Sequence, residues 1–250
     1  GFVFVGVHPG LAVPEKQLLL RRARPDLVLA TGAIIDTLRG STGEHVALDL
    51  NDPTMAELAR PPFRQSSVPD PHAAAAIAFT SGTTGEPKGV VHDQHHMILP
   101  ASVILHHRLG GRGERIGVHL PLTTLNALVV APVLAFLGGG TCVCIDGHEA
   151  SALAETIETE RIEHLSTSPA VVYDLLEHPD VDPRRQLQNL RLGVGGASCP
   201  EQLRRSYAAE VGRTFTTGYG LTEAPASVAQ ETERVPHRTG ASGMAMAHVG

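Results

Sequence analysis

The sequence predicts an α/β protein with largely parallel sheets. Two observations carry this: short apolar strand patterns alternate with helical ones, and glycine-rich turns follow several of the strands. FVFVGV at the start reads as a buried strand. Pro14 opens a helix that runs through Arg24 and is stopped by Pro25-Asp26. LVLAT from Leu27 is a strand, AIIDTLRG a short helix and HVALDL a third strand. Asn51 to Ala75 reads as loop, with a weak helix near Met55 and prolines at Pro61, Pro62, Pro69 and Pro71. AAIAFT is the next strand. A helix from Gln94 to about His107 follows, with Pro100 inside it as a candidate kink. Gly110-Gly111-Arg112-Gly113 is the best internal boundary. Beyond it the alternation restarts: IGVHLPL, a helix through Leu137, the TCVCI strand, a helix from Ala150 to Arg161, then HLSTS. A helix from Ala170 to Glu177, LRLGVGG, a helix through Glu210 and RTFTTGYGLTE complete the pattern.

The 250 residues suffice for a sizeable core and for one or two domains. A net charge of −6 argues against an electrostatic footprint on nucleic acid, so no nucleic-acid partner is expected. The longest apolar run, around Ala127 to Leu137, is shorter than a membrane span and contains Pro132, so no transmembrane segment is expected. No basic-then-apolar leader is visible, and a cytoplasmic protein is expected. The chain opens without Met on a strand-like GFVFVGV, which reads as a piece cut from a longer protein.

Three cysteines do not make a disulfide framework. Cys142 and Cys144 lie two apart in a strand, point to one face and read as buried free thiols. Cys199 reads as packed under a helix start, with no neighbouring base to make it a nucleophile. Of the fourteen histidines, His92, His95, His96, His106 and His107 gather around the Gln94 helix. Without a carboxylate or thiolate in fixed geometry they read as a solvated or groove-lining helix face, not a metal site.

Function is carried by AIAFTSGTTGEPKGVVH, from Ala76 to His92. An apolar strand runs into a hydroxyl- and glycine-rich loop with one lysine, then into a second short strand. Glycines let backbone N–H groups turn towards oxyanions. Hydroxyls on Thr80, Ser81, Thr83 and Thr84 add donors, and Lys88 adds a point charge. The loop therefore suggests a nucleoside triphosphate site. A Walker A loop needs the lysine directly after a glycine and directly before a hydroxyl. Here Pro87 precedes Lys88 and Gly89 follows it. A plain surface loop seldom holds these residues in this order after a buried strand.

TSGTTGEPKG resembles the phosphate-binding signature of the adenylate-forming superfamily, which includes acyl-CoA synthetases, aryl-acid ligases, luciferases and peptide-synthetase adenylation domains. GYGLTEA, from Gly218 to Ala224, is similar to that family's Y-G-x-T-E signature. VGGASCP, from Val194 to Pro200, resembles its adenine-side loop. The three occur in the family's order. RTGASGMAMAHVG at the end resembles the stretch that leads into a small barrel. The resemblance sharpens the fold to two stacked α/β subdomains with largely parallel sheets flanked by helices and the nucleotide between them. The expected segments are residues 1–110, ending with the phosphate loop, 111–236, with the adenine and Y-G-x-T-E motifs, and 237–250, the start of a truncated barrel.

The resemblance implies two steps. A carboxylic acid and ATP give an acyl-adenylate and pyrophosphate. A thiol, coenzyme A or the pantetheine of an acyl or peptidyl carrier protein, then takes the acyl group. It assigns catalytic roles to Lys88, Thr222 and Glu223. ATP or AMP would be held by Thr80, Ser81, Gly82, Thr83, Thr84, Gly85 and Lys88. Gly195, Gly196, Ala197, Ser198, Gly218, Tyr219, Gly220 and Thr222 would complete that site, with Tyr219 against the adenine. Glu223 would bind Mg²⁺, with Thr80 or Thr83 approaching the ion through the phosphates. Thr123, Thr124, Leu125, Gly195 and Gly220 would border the acyl pocket. Such catalysis rests on positioning and charge stabilisation. Standing alone, Tyr219 also reads as a core aromatic, and Thr222-Glu223 as a helix N-terminus.

The chain departs from the family pattern in three places. The family's ribose-binding aspartate, hinge and C-terminal small domain with its lysine belong beyond Gly250, so this chain alone is expected to bind nucleotide weakly and turn over poorly. Thr123 and Thr124 stand where many acyl-CoA synthetases carry a histidine or aromatic after the proline. Thr216 and Thr217 replace larger polar groups. No acidic residue lies between Leu120 and Gly140 to pair an α-ammonium, which favours a neutral-tailed fatty or aryl acid over an amino acid. A carrier-loading adenylation domain, and a non-catalytic module that binds nucleotide or acyl ligand, remain alternatives.

Overall fold

The computed structural model describes residues 2–38, 46–55, 70–80, 86–107, 113–147, 149–232, 235 and 237–249. The chain divides into two compact units, Gly1–Gln94 and His95–Gly250.

In the first unit, β1 (Phe4–Val5) pairs parallel with β4 (Ala74–Thr80), which pairs antiparallel with β5 (Lys88–Asp93). A separate pair joins β2 (Leu27–Ala30) to β3 (Val46–Asp49) in parallel. Helix α1 (Val13–Ala23) carries Pro14 in its first turn, where a missing N–H costs nothing. The Glu15 carboxylate accepts from the Ala12 N–H at 2.8 Å, and Arg24 closes the other end in the left-handed region at φ 48°. Helix α2 (Gly32–Leu38) takes up AIIDTL of the expected AIIDTLRG, whose last two residues lie outside the described ones. FVFVGV is not buried as expected: β1 is an edge strand with one partner, and Phe2 is 89% exposed. The weak helix expected near Met55 falls mostly on residues 56–69, which lie outside the described ones together with Pro61, Pro62 and Pro69.

The second unit is built on a seven-stranded sheet whose strands, in spatial order, are Met244–Ala245, Ala229–Gln230, Thr216–Tyr219, Arg191–Val194, His164–Thr167, Arg115–Val118 and Thr141–Cys144. The parallel strands are β6 (Arg115–Val118), β7 (Thr141–Cys144), β8 (His164–Thr167), β9 (Arg191–Val194) and β10 (Thr216–Tyr219). Two antiparallel strands, β11 (Ala229–Gln230) and β12 (Met244–Ala245), extend the β10 edge. Helix α3 (Gln94–His107) begins at the last residue of the first unit and runs through Pro100. Helix α4 (Leu125–Leu128) passes into α5 (Leu134–Leu137) through a π turn, Val129–Val133, which contains Pro132. The wider turn accommodates a residue that has no N–H to donate.

Four further helices follow: α6 (Ala150–Thr159), α7 (Pro169–Glu177), α8 (Pro183–Gln186) and α9 (Glu201–Val211). Leu153, Leu165, Leu192, Leu203, Tyr207 and Phe215 form one core cluster with them. A second cluster joins Ile104, Ile116, Val129 and Leu134. Strand alternation divides the faces: Leu165 and Leu192 enter the first core, while His164, Ser166, Arg191 and Gly193 point the other way. Among the described residues, no helix is long and apolar enough to cross a membrane.

Cys142 is only half-buried and Cys144 is exposed, because β7 is the sheet's edge. Burial still pushes the Cys142 thiol up to about 11, with Cys144 beside it adding to the shift. Cys199 is half-buried against the first core, just before α9. His95 and His96 are exposed, whereas His92 is buried on β5.

A polar clamp ties α9 to the β10–β11 edge. Glu231 accepts from Arg204 Nη2 at 2.7 Å, from the Thr217 N–H at 2.7 Å and from His237 Nδ1. Burial pushes the Glu231 carboxyl up, but these donors outweigh it and hold the group below its ordinary value. His237 also bonds Glu201 at 3.0 Å. The Glu231 carboxylate raises its pKa most, burial opposes that in part, and Glu201 adds a smaller upward push. A histidine raised in the folded state stabilises fully below its unfolded value, about 6.5, and loses that contribution as pH rises through the folded one. His237→Gln is therefore expected to lower the melting temperature clearly near pH 6 and hardly at all near pH 9. An equal loss at both pH values would remove His237 from the clamp.

Candidate functional site

The loop that carried the functional reading joins β4 to β5. Thr80 and Lys88 are register partners at its two ends. Ser81, Gly82, Thr83, Thr84 and Gly85 lie outside the described residues. At Lys88 the chain enters a strand, where a Walker A loop would enter a helix. Lys88 is exposed at the start of β5.

In the second unit, a cavity of about 300 Å³ opens where β8, β9 and β10 end. Ligands collect at the C-terminal ends of parallel strands because the turns there offer backbone N–H groups around a crevice. Gly195, Gly196, Gly218 and Gly220 wall this cavity together with Thr124. Gly195 follows β9 and donates its N–H to the Thr167 carbonyl at 3.0 Å. Two glycines are required by geometry. Gly196 sits at φ 80°, a region L side chains avoid. A Cβ on Gly220 would meet the Ala226 carbonyl oxygen at 2.2 Å.

Tyr219 is 49% exposed at the end of β10, so it is not a core aromatic. Thr222 and Glu223 lie in an irregular segment between β10 and β11, so they do not cap a helix. Glu223 is exposed, and the segment bends back through Ala226 at φ 72°. Thr222, Glu223, Ala197 and Ser198 are outside the cavity's lining. So are Thr123 and Leu125, the latter buried at 4% exposure.

Other lining residues were not foreseen. Ser166 and Ser168 come from β8 and its end, Ile104 from α3, Asn126 from α4, Val130 from the π turn and Gln230 from β11. Beneath them, buried His119 lies with Nε2 2.8 Å from Thr167 Oγ1. The alternating hydroxyls of HLSTS at a strand end were the available signal for the serines. Gln230 and Ile104 belong to no local motif.

The profile of the AMP-binding enzyme family matches residues 1–250. The chain belongs to the AMP-binding enzyme family. The resemblance carried by TSGTTGEPKG, GYGLTEA and VGGASCP is thereby borne out, as is the α/β fold.

Among curated relatives of this AMP-binding chain, the medium/long-chain-fatty-acid–CoA ligase FadD8 of Mycobacterium tuberculosis is 29% identical over 225 residues. That match covers 88% of this chain and 37% of FadD8. Feruloyl-CoA synthase of an Amycolatopsis species is 26% identical over 247 residues, covering 98% and 49%. The chain thus spans half or less of these relatives. The crystal structure of the anthranilate CoA ligase AuaEII with anthranoyl-AMP matches with a TM-score of 0.87 at 21% identity. It covers 99% of this chain and 49% of that one. ATP-bound MatB from Rhodopseudomonas palustris matches with a TM-score of 0.84 at 19% identity, over 98% and 49%. At these identities the likeness establishes the shared fold.

Proposed function

We propose that this chain is the ATP- and acyl-binding part of an adenylate-forming ligase, one that joins a fatty or aryl acid to a thiol such as coenzyme A. The observation that carries the reading is the cavity at the ends of β8, β9 and β10, walled by glycines from both the VGGASCP and the GYGLTEA runs. Ile104, Leu120, Pro121, Val130 and Ala226 make much of its lining apolar, and no carboxylate is among the described lining residues. An α-ammonium would have no partner there, which supports a fatty or aryl acid over an amino acid. The names of FadD8, a CoA ligase, and of feruloyl-CoA synthase support the same reaction class.

In this reading one acid carboxylate oxygen forms a bond to the α-phosphorus of ATP, and the bond to the pyrophosphate oxygen breaks. The thiol sulfur then bonds the acyl carbon as AMP leaves, and the thiol proton passes to solvent. Thr222 would donate to the α-phosphate. Lys88 and the loop hydroxyls would balance the charge on departing pyrophosphate. Glu223 is an exposed carboxylate of the kind that Mg²⁺ accepts together with phosphate oxygens. When bound, Mg²⁺ would neutralise phosphate charge; holding the nucleotide and the acid in line is the work of the chain's own residues. In the same reading the chain's segments are 1–110, 111–236 and 237–250, whereas the compact units part between Gln94 and His95.

The test is ATP–pyrophosphate exchange by the full-length protein, run beside this chain, across fatty, aryl and amino acids. Fatty or aryl acids should support exchange, and amino acids should not. Exchange driven best by amino acids, or by no acid at all, would overturn the reading.

A further inference from the structure

A second cavity, of about 470 Å³, shares Ile104, Thr216 and Gln230 with the first. Strand alternation places part of both linings on one sheet face, while Leu192 and Phe215, which also line the second cavity, belong to the first core. Ser166 and Gly193 line the first, and His164 and Arg191, two residues earlier on the same strands, line the second. The second cavity thus begins where an acyl chain entering from the glycine turns would end. From Gly195 back to Arg191 the distance along β9 is about 13 Å, and Arg213, three residues before the Thr216 that pairs with Gly193, stands about one residue further back, so the span suits an acyl group of medium length or longer.

The chemistry changes along that path. The first cavity has no charged side chain among its described lining residues. The second has three guanidinium groups, Arg191, Arg204 and Arg213, and the imidazoles of His107, His164 and His237. Its one carboxylate among the described lining residues, Glu231, is already held by Arg204 and His237. Arg191 pairs with buried Glu114. Arg213 donates Nη1 to the neutral Gln188 carbonyl at 3.0 Å and has no carboxylate partner among the described residues. A cation that lines a cavity without a matching carboxylate favours an anion there.

We propose that the site takes medium-chain acids whose far end carries a second anionic group, a carboxylate foremost, seated against Arg213 in the second cavity. The inference rests on the adenylating reading above and replaces the expected neutral tail with an anionic one. The carboxylate at the reacting end meets the glycine turns, the methylene chain passes Ile104 and Gly193, and the far carboxylate accepts from Arg213, with His107 and His164 beside it.

The test is calorimetric titration of the full-length protein with two non-hydrolysable sulfamoyl-adenosine mimics, one decanoyl and one sebacoyl, which differ at the far end. The sebacoyl mimic should bind about tenfold tighter, since a charge-assisted hydrogen bond is worth that much. Arg213→Gln should weaken the sebacoyl mimic selectively and close the gap, and His107→Gln should narrow it. Equal binding of the two mimics to the native protein, or the same loss for both in Arg213→Gln, would overturn the inference and leave the adenylating reading standing. Failure of both mimics to bind would remove that reading and the inference with it.

Discussion

Replacing Glu223 by glutamine is expected to lower the Mg²⁺-dependent adenylation rate of the full-length protein by well over about tenfold. The substitution keeps the size of the side chain and removes its charge. Glu223 is exposed in an irregular segment and sits in neither core cluster, so the fold should tolerate the change. Mg²⁺ dehydrates reluctantly and is usually held by one or two carboxylates plus phosphate oxygens, so loss of the one protein charge weakens the ion's hold. The deficit should shrink as Mg²⁺ is raised, because the variant binds the ion more weakly but still binds it. Initial rates of pyrophosphate release across a Mg²⁺ series measure this. An unchanged rate at limiting Mg²⁺ would take Glu223 out of the metal site.

Gly220→Ala is expected to weaken binding of an acyl-adenylate mimic sharply while the protein stays folded. The added methyl would stand 2.2 Å from the Ala226 carbonyl oxygen, far inside contact distance, and that oxygen is backbone. The segment from Leu221 to Ala226 must therefore shift, and it carries Thr222 and Glu223. Val228 is tied to the Tyr219 carbonyl at 2.7 Å and Glu231 to the Thr217 carbonyl at 2.8 Å, so the movement stays within the bend between them. An affinity loss of more than about tenfold, with far-ultraviolet circular dichroism retained, is the expected pair of results. Native affinity in the variant would mean that the Gly220 turn does not border the ligand.

Much of this fold was legible because strand and helix signals rarely competed. Pro14, Pro169 and Pro183 each stand in the first turn of a helix, and Gly212 closes α9 in the left-handed region. The β4–loop–β5 hairpin followed from apolar runs on both sides of a glycine-rich segment. Exposure was less legible. FVFVGV and TCVCI are apolar enough to be interior strands, yet each occupies an edge, and edge position depends on pairings remote in sequence. The glycines of the candidate site were legible because each sits in a compact local motif. Its remaining walls were not: Ile104, Ser166 and Gln230 meet only through the order in which β8, β9, β10 and β11 pair. The Arg204–Glu231–His237 clamp was invisible for the same reason, since its members are up to 33 residues apart and follow no periodic pattern (204 to 237).

The most direct test of the adenylate site is calorimetric titration of the full-length protein with a non-hydrolysable acyl-adenylate mimic, with Thr222→Ala as the control. Saturable binding that the variant loses is the predicted result. A protein that circular dichroism shows to be folded, yet that gives no saturation, or binds equally well with Thr222→Ala, would contradict it.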